Sequence, residues 1–340
     1  MSAPYPWQQG LWSSLLRLHA AGRLPHALLL AAAEGSGRHD LALALAARLL
    51  CQSPAGELAC GRCRSCQWLA AGSHPDFLRV SPEVDGDKVS KVIKVDQARE
   101  VVQFASQSAQ MQGWRVVVLS PAHALNTASA NALLKTLEEP GRDTLFLLLT
   151  DQPMSLLPTI RSRCQLLPLG VPDTQLARQW LRSQPGLPET ADDAVADTLL
   201  ALTRGAPLAA RDLLQAEWYQ QRGALLADLL AVADDRAAPL TLSTQWGKRD
   251  AMAQITIWQS LLDDAVQLAL VPDADCRHRD LAAELKQLAA AVSAEALLDT
   301  LAQAVEARRL LDTTVQPQAI LDALWLHWGR KTRTRGSHAG

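Results

Sequence analysis

The feature that most restricts the fold is an unbroken apolar run, Leu-Phe-Leu-Leu-Leu at residues 145–149, closed by Thr150 and Asp151. A sheet with one wet face alternates apolar and polar side chains. A run without alternation needs cover on both faces, the condition of a central strand in a parallel sheet. Ligands of open α/β sheets sit beyond the carboxyl ends of such strands, which puts Thr150 and Asp151 at the binding edge. Ser155 is placed to cap a short helix, with Pro158 tolerated in its first turn. That helix carries Arg161 and Arg163 away from the sheet. These residues alone leave two readings open: a pair of solvated arginines, or an arginine held at a domain edge to reach a neighbouring molecule.

The preceding segments repeat the same logic. Residues 7–21 show helical spacing through Trp7, Leu11, Trp12, Leu15 and Leu18. A short strand at 26–31 runs into Glu34-Gly35-Ser36-Gly37 and then a helix over about 38–50, the layout of a phosphate loop. A cysteine-bearing insert follows at 51–66. Residues 76–80 read as a strand, 82–89 as a polar loop, and Asp96 as the cap of a helix reaching about Gln110. Arg115–Leu119 is a buried strand ended by Ser120 and Pro121. Asn126 or Thr127 opens a helix to Glu139, stopped by Pro140-Gly141, and residues 164–169 form a last strand. Strands alternating with helices over 24–169 predict a parallel, doubly wound α/β sheet.

Composition shifts after Gly170. Three short helices are predicted at 173–182, 192–202 and 207–214, the second opened by a capping-box-like pair, Thr190 and Asp193. Beyond Glu217 only helical periodicity remains, at 218–232, 255–270, 281–292, 295–311 and 319–328. An all-helical third domain is expected, then a polar, basic, disordered tail at 331–340. The tryptophans of this region, Trp218, Trp246, Trp258, Trp325 and Trp328, read as core or subunit contacts, since no basic stripe interleaves them. A formal net charge of −2 disfavours a free-standing DNA binder. No long uncharged apolar run and no signal-peptide pattern occur, so a cytoplasmic chain without a membrane span is expected, its six cysteines thiols or metal ligands rather than disulfides.

The phosphate loop lacks its chemistry. The frame G-x-x-x-x-G-K-[ST] uses its lysine on the β/γ-phosphates and its hydroxyl on magnesium. Here it reads Ala32-Ala-Glu-Gly-Ser-Gly37-Arg38-His39, and of the motif only Gly37 matches. Arg38 is not equivalent to lysine, and His39 does not replace a hydroxyl on a hard cation. The strand at 115–119, which in an ATPase ends in carboxylates, ends here in Ser120 and Pro121.

Cys51, Cys60, Cys63 and Cys66 follow the spacing C-x8-C-x2-C-x2-C. Four cytosolic thiols in so short a stretch fit a closed tetrahedral zinc site, structural rather than catalytic, with Gly61 allowing the turn between ligands. An iron–sulfur cluster is the rival reading, disfavoured because the fourth cysteine lies upstream. His74 is an alternative ligand or a turn residue with Pro75 and Asp76. Cys164 and Cys276 read as buried thiols.

The degenerate loop, the four-cysteine insert behind its helix, Asn131-Ala-Leu-Leu-Lys-Thr-Leu-Glu-Glu-Pro140 and Ser162-Arg163-Cys164 together resemble the clamp-loader branch of the AAA+ family. The resemblance is strong over 7–215 and architectural beyond. It implies an AAA+ P-loop-type α/β domain with a zinc insert (1–169), a three-helix lid (170–215) and a helical collar (216–330). It also implies a non-hydrolysing subunit of a hetero-pentamer with motor and delta subunits, acting on the sliding clamp and primer–template DNA. Arg163 falls on the arginine that such subunits lend in trans to a neighbour's ATP, with Arg161 a lesser candidate. Thr150 falls near the first sensor position, and Leu208 stands where the second sensor arginine would be. Lys135 reads equally as a solvated helix face or an interface residue. The alternatives are an ATP-hydrolysing motor-type subunit, which calls for lysine, hydroxyl and acid at 38, 39 and 120, and a zinc-containing nucleic-acid module supported only by Arg62 and Arg64.

Overall fold

In the computed structural model, which describes residues 3–85, 88–111, 113–185 and 193–333, the first part of the chain alternates helices and strands. These are α1 (Gln9–Ala20), β1 (Ala27–Ala31), α2 (Arg38–Leu50), α3 (Arg64–Ala70), β2 (Phe77–Val80), β3 (Val84–Asp85), β4 (Lys88–Val89), α4 (Val95–Ser106), β5 (Arg115–Leu119), α5 (Thr127–Glu138), β6 (Thr144–Thr150), α6 (Pro158–Arg161) and β7 (Gln165–Pro168). Five strands lie parallel in the order β2-β5-β6-β1-β7, with β6 in the middle.

Every residue of β6 is buried. Leu145, Leu147 and Leu149 pack with Leu28, Leu30, Val116 and Val118 under Trp12, Leu15, Leu41 and Leu45 of α1 and α2. Phe146 and Leu148 face the opposite way, with Leu29, Val117 and Leu119 under Val101, Leu133 and Leu137 of α4 and α5. Two covered faces leave no place for a polar alternate, so the run at 145–149 is continuous. Ala31 stands opposite Thr150, which brings the turn after β1 and the end of β6 to one edge.

The start of β2 is fixed by a buried charge pair. Arg115 and Asp76 are each 1% exposed at their side chains, with Nε 3.3 Å from Oδ1. The Asp76 carboxylate also accepts from the backbone N–H groups of Gln110 and Met111, both at 2.8 Å. The guanidinium lies 4.2 Å from the centre of the Phe104 ring and donates to the Phe104 carbonyl. A buried pair is tolerable when its remaining lone pairs and protons are satisfied in this way.

The remainder is helical: α7 (Thr174–Arg182), α8 (Asp193–Leu202), α9 (Pro207–Leu213), α10 (Glu217–Ala233), α11 (Pro239–Trp246), α12 (Ala251–Leu270), α13 (Ala282–Ala291), α14 (Ala294–Leu310) and α15 (Pro317–Arg333). The chain divides into two compact units, Met1–Ala177 and Arg178–Gly340. In the second, Trp246, Trp258, Trp325 and Trp328 are core residues, and the Trp258 ring meets those of Trp325 and Trp328 edge-on at 4.9 and 6.1 Å. No single helix among the described residues is long and apolar enough to cross a membrane.

Several local expectations need correction. Asp96 does not cap α4: the cap is Lys94, whose N–H donates to the Gln97 side chain at 3.0 Å, and the helix ends at Ser106 rather than Gln110. Ser155 closes a separate 3-10 turn, Pro153–Ser155, and Leu157 precedes α6. The 82–89 segment is not wholly loop, because β3 and β4 pair antiparallel there. Helix α11 escaped the periodicity because only Leu242, Ser243 and Trp246 of its residues are buried. Cys276 is buried but Cys164 is only half-buried. The region expected to be a tail is helical as far as Arg333; residues 334–340 and the Thr190 cap lie outside the described residues.

Candidate functional site

The carboxyl edge of the sheet gathers most of the residues singled out above. Gly37 adopts φ 84° as it enters α2. A Cβ there would also come within 2.6 Å of the Tyr5 ring and 2.7 Å of Gln8 Nε2, so glycine is required for conformation and for space. The turn is sealed by the segment before α1. Gln8 Nε2 donates to the carbonyls of Ser36 (3.2 Å) and Gly37 (2.9 Å), and Trp7 Nε1 donates to Ser36 O at 2.9 Å. The Tyr5 and Trp7 rings stack at 4.9 Å.

Arg38 does not point out of the loop. Its Nη1 donates to the carbonyl of Ala32 at 2.6 Å, and Nη2 lies 3.9 Å from Asp151 Oδ1. His39 Nε2 lies 3.1 Å from Ser120 Oγ at the end of β5. Burial, then the positive charges of Arg38 and Arg79, hold the His39 pKa below its ordinary value, so the ring is neutral at pH 7. Pro121 follows Ser120, so the last positions of this strand offer one hydroxyl and no carboxylate. Thr150 Oγ1 accepts from the Gln152 N–H at 3.0 Å and lies 3.1 Å from His123 Nδ1, which is 3.3 Å from Asp151 Oδ1. The turn after β1 and the ends of β5 and β6 thus lie at one edge, with Arg38 near Asp151, His39 against Ser120 and Thr150 against His123. Sequence reasoning missed Tyr5, Trp7, Gln8 and His123, whose roles depend on tertiary contact and leave no motif. Leu208 is buried in α9 of the second unit.

Arg163 follows α6 and its side chain is 28% exposed. Nε donates to Glu138 Oε1 at 2.8 Å, Nη2 donates to the same oxygen, and Nη1 donates to the Thr159 carbonyl at 2.8 Å. Glu138 is the last residue of α5, and Ile160 of α6 shares a core with Leu133 and Leu137 of α5, which fixes the two helix ends together. Glu138 belongs to the Leu-Glu-Glu-Pro segment, and its pairing with Arg163 leaves no signal in the sequence. Arg161 Nη1 lies 3.1 Å from the Met154 thioether, and Lys135 is exposed on α5.

The four thiols of Cys51, Cys60, Cys63 and Cys66 meet, with every Sγ within 4.8 Å of the others. The Cys51–Cys63 separation is 3.9 Å. Tetrahedral sulfurs ~2.3 Å from a central ion stand ~3.8 Å apart, so the cage has the right size for a metal. Gly61 takes φ 70° at the turn between ligands. N–H groups of Cys60 and Cys63 point at the sulfurs of Cys51 and Cys60, both at 3.3 Å. Burial pushes the Cys63 thiol up, but hydrogen bonds from the amides of Cys66 and Gln52, together with the thiols of Cys66 and Cys60, outweigh it and bring its pKa to about 6. His74 is not part of this set. Its Nε2 lies 2.7 Å from Ser65 Oγ, its Nδ1 accepts from the Asp76 N–H at 3.0 Å, and Ser65 donates to Leu50 O at 2.5 Å. Histidine and serine thus fasten the thiol-bearing segment to the head of β2.

A parallel sheet carrying a phosphate-loop turn, a four-thiol insert and a helical second half define an α/β chain of the phosphate-loop type. A family described as DNA polymerase III, delta subunit, matches residues 7–173, and one described as DNA polymerase III, delta subunit, C terminal, matches 216–329. DNA polymerase III subunit delta' of Pseudomonas aeruginosa is 42% identical over 72% of this chain and 72% of its own length. The same subunit of Yersinia pestis is 39% identical over 86% and 85%, and that of Escherichia coli 38% over 77% and 76%. The chain belongs to the DNA polymerase III delta' subunit family.

Proposed function

We propose that the protein is a non-hydrolysing subunit of a replication clamp loader, acting through protein contacts and through Arg163 offered in trans to the ATP of a neighbouring motor subunit. The observation that carries the first half is Arg38: at the position of the phosphate-loop lysine, its guanidinium is spent on Ala32, a carbonyl of its own loop. A hydroxyl is lacking at His39 and a carboxylate at Ser120, so neither magnesium nor the attacking water has its usual partner. The same absences argue against the ATP-hydrolysing motor reading. Arginines supplied in trans stabilise the charge that develops during phosphoryl transfer and contribute roughly a thousandfold or more. Arg163 is fixed at both sides of its guanidinium and still partly exposed, as such a role requires.

The assembly expected is a hetero-pentamer with motor and delta subunits in the cytoplasm, loading the sliding clamp onto primer–template DNA. Residues 170–215 would form its lid and 216–330 its collar. The thiol cage is assigned to one structural zinc ion, because four cysteines close the tetrahedron and leave no position for a substrate. Reconstituting the complex with Arg163→Ala tests the central reading. The variant is expected to assemble normally but to lower clamp- and DNA-stimulated ATP turnover and clamp loading. Wild-type turnover in the mutant complex would reject the role.

A further inference from the structure

We infer that Glu138 is a positioning residue for Arg163, holding the guanidinium so that its open edge faces outward; this rests on the trans-arginine reading above. An arginine side chain has many rotamers, and a free one would have to surrender that freedom at the moment of reaction. Here the freedom is already removed. A guanidinium has five N–H donors. One hydrogen each on Nε and Nη2 goes to Glu138 Oε1, and one on Nη1 goes to Thr159 O at 2.8 Å. Among the described residues the second hydrogen on Nη2 meets no acceptor, and that on Nη1 only a limiting 3.5 Å contact to Ser162 Oγ. Glu138 occupies the side-on edge defined by Nε and Nη2. The terminal nitrogens keep the hydrogens that suit two phosphoryl oxygens.

The carboxylate and an incoming phosphoryl group therefore use different donors and need not compete. A carboxylate that sequestered the arginine would be expected to occupy the terminal pair of nitrogens or to bury the group, yet the Arg163 side chain is 28% exposed and that of Glu138 is 49% exposed. So exposed an ion pair contributes little to stability. Its consequence is directional, and in phosphoryl transfer placement of charge is most of the catalysis. Glu138 also lies at the C-terminus of α5, where a carboxylate opposes the helix dipole, so its position is not explained by helix stability.

The test is steady-state ATP turnover of the reconstituted complex with clamp and primed DNA, comparing wild type, Glu138→Ala, Glu138→Gln, Arg163→Ala and the double Glu138→Ala/Arg163→Ala variant. Glu138→Ala is expected to lower kcat about threefold to tenfold with KM for ATP within about twofold and assembly unchanged. Glu138→Gln, which keeps an acceptor oxygen, should recover most of that loss. The double variant should be no slower than Arg163→Ala. Wild-type kcat in Glu138→Ala, a raised kcat, or a further loss in the double variant would overturn the inference while leaving the role of Arg163 intact. An inert Arg163→Ala would instead bring down the reading on which it stands.

Discussion

Arg38 Nη1 donates to the carbonyl oxygen of Ala32 across six residues of the same turn, at 2.6 Å. The cation that a working phosphate loop offers to its nucleotide is here a strut of the loop. Arg38→Ala should leave a buried carbonyl short of its donor and destabilise the first unit by about 1–3 kcal/mol, measurable by urea denaturation. The double change Arg38→Lys/His39→Thr should not create ATP turnover, because Ser120 and Pro121 still supply no carboxylate. Turnover in that variant, after purification to constant specific activity, would contradict this reading of the edge.

Asp76→Ala should be among the most damaging single changes. It strands the Arg115 guanidinium in the core and frees two backbone N–H groups that now donate to the carboxylate. Breaking a buried, hydrogen-bonded pair from one side costs about 3–5 kcal/mol. A loss below about 1 kcal/mol in a denaturant titration would mean that water replaces the carboxylate.

Metal content is the direct check on the thiol cage. One zinc per chain is expected by elemental analysis, with Cys63→Ser abolishing it. Chelation should loosen residues 51–74 selectively, seen as faster amide exchange there and unchanged exchange in the β6 core. Iron with visible absorbance would replace the zinc assignment by a cluster.

The helical unit should weaken in acid. Burial, opposed by Asp264 and assisted by Arg222 and Arg277, brings the His278 pKa down to about 4. The ring is fully buried, with Nε2 2.8 Å from Ser260 Oγ. Its folded pKa lies below the unfolded value, so the unfolded chain binds the proton more readily between about pH 4 and 6.5. Stability from this group is thus complete above that window and lost as pH falls through it, by at most about tenfold in the folding constant per unit. His278→Gln should flatten this part of the pH–stability curve; an unchanged slope would assign it to other groups.

The sheet was readable because its signal is local. A run such as 145–149 has one favourable environment, and the strand ends, the glycine turn and the helix caps at Gly37 and Asn126 are written in consecutive residues. The cysteine cage was equally plain, since four ligands at short spacing constrain one another. What the sequence hid are contacts between distant positions. Gln8 reaches Gly37, His123 reaches Thr150 and Glu138 reaches Arg163, each across tens of residues and each with a residue type that is ordinary on a surface. Helix α11 was hidden for another reason: it buries too few apolar side chains to show a period.

The stapling of Trp7 and Gln8 to the turn at Ser36 and Gly37 has a practical corollary. Three side-chain hydrogen bonds from residues ahead of α1 brace the carbonyls of Ser36 and Gly37, so the form of the turn is tied to a segment 28–29 positions away in sequence. A change at Trp7 or Gln8 would therefore be felt first at the turn after β1, far away in sequence.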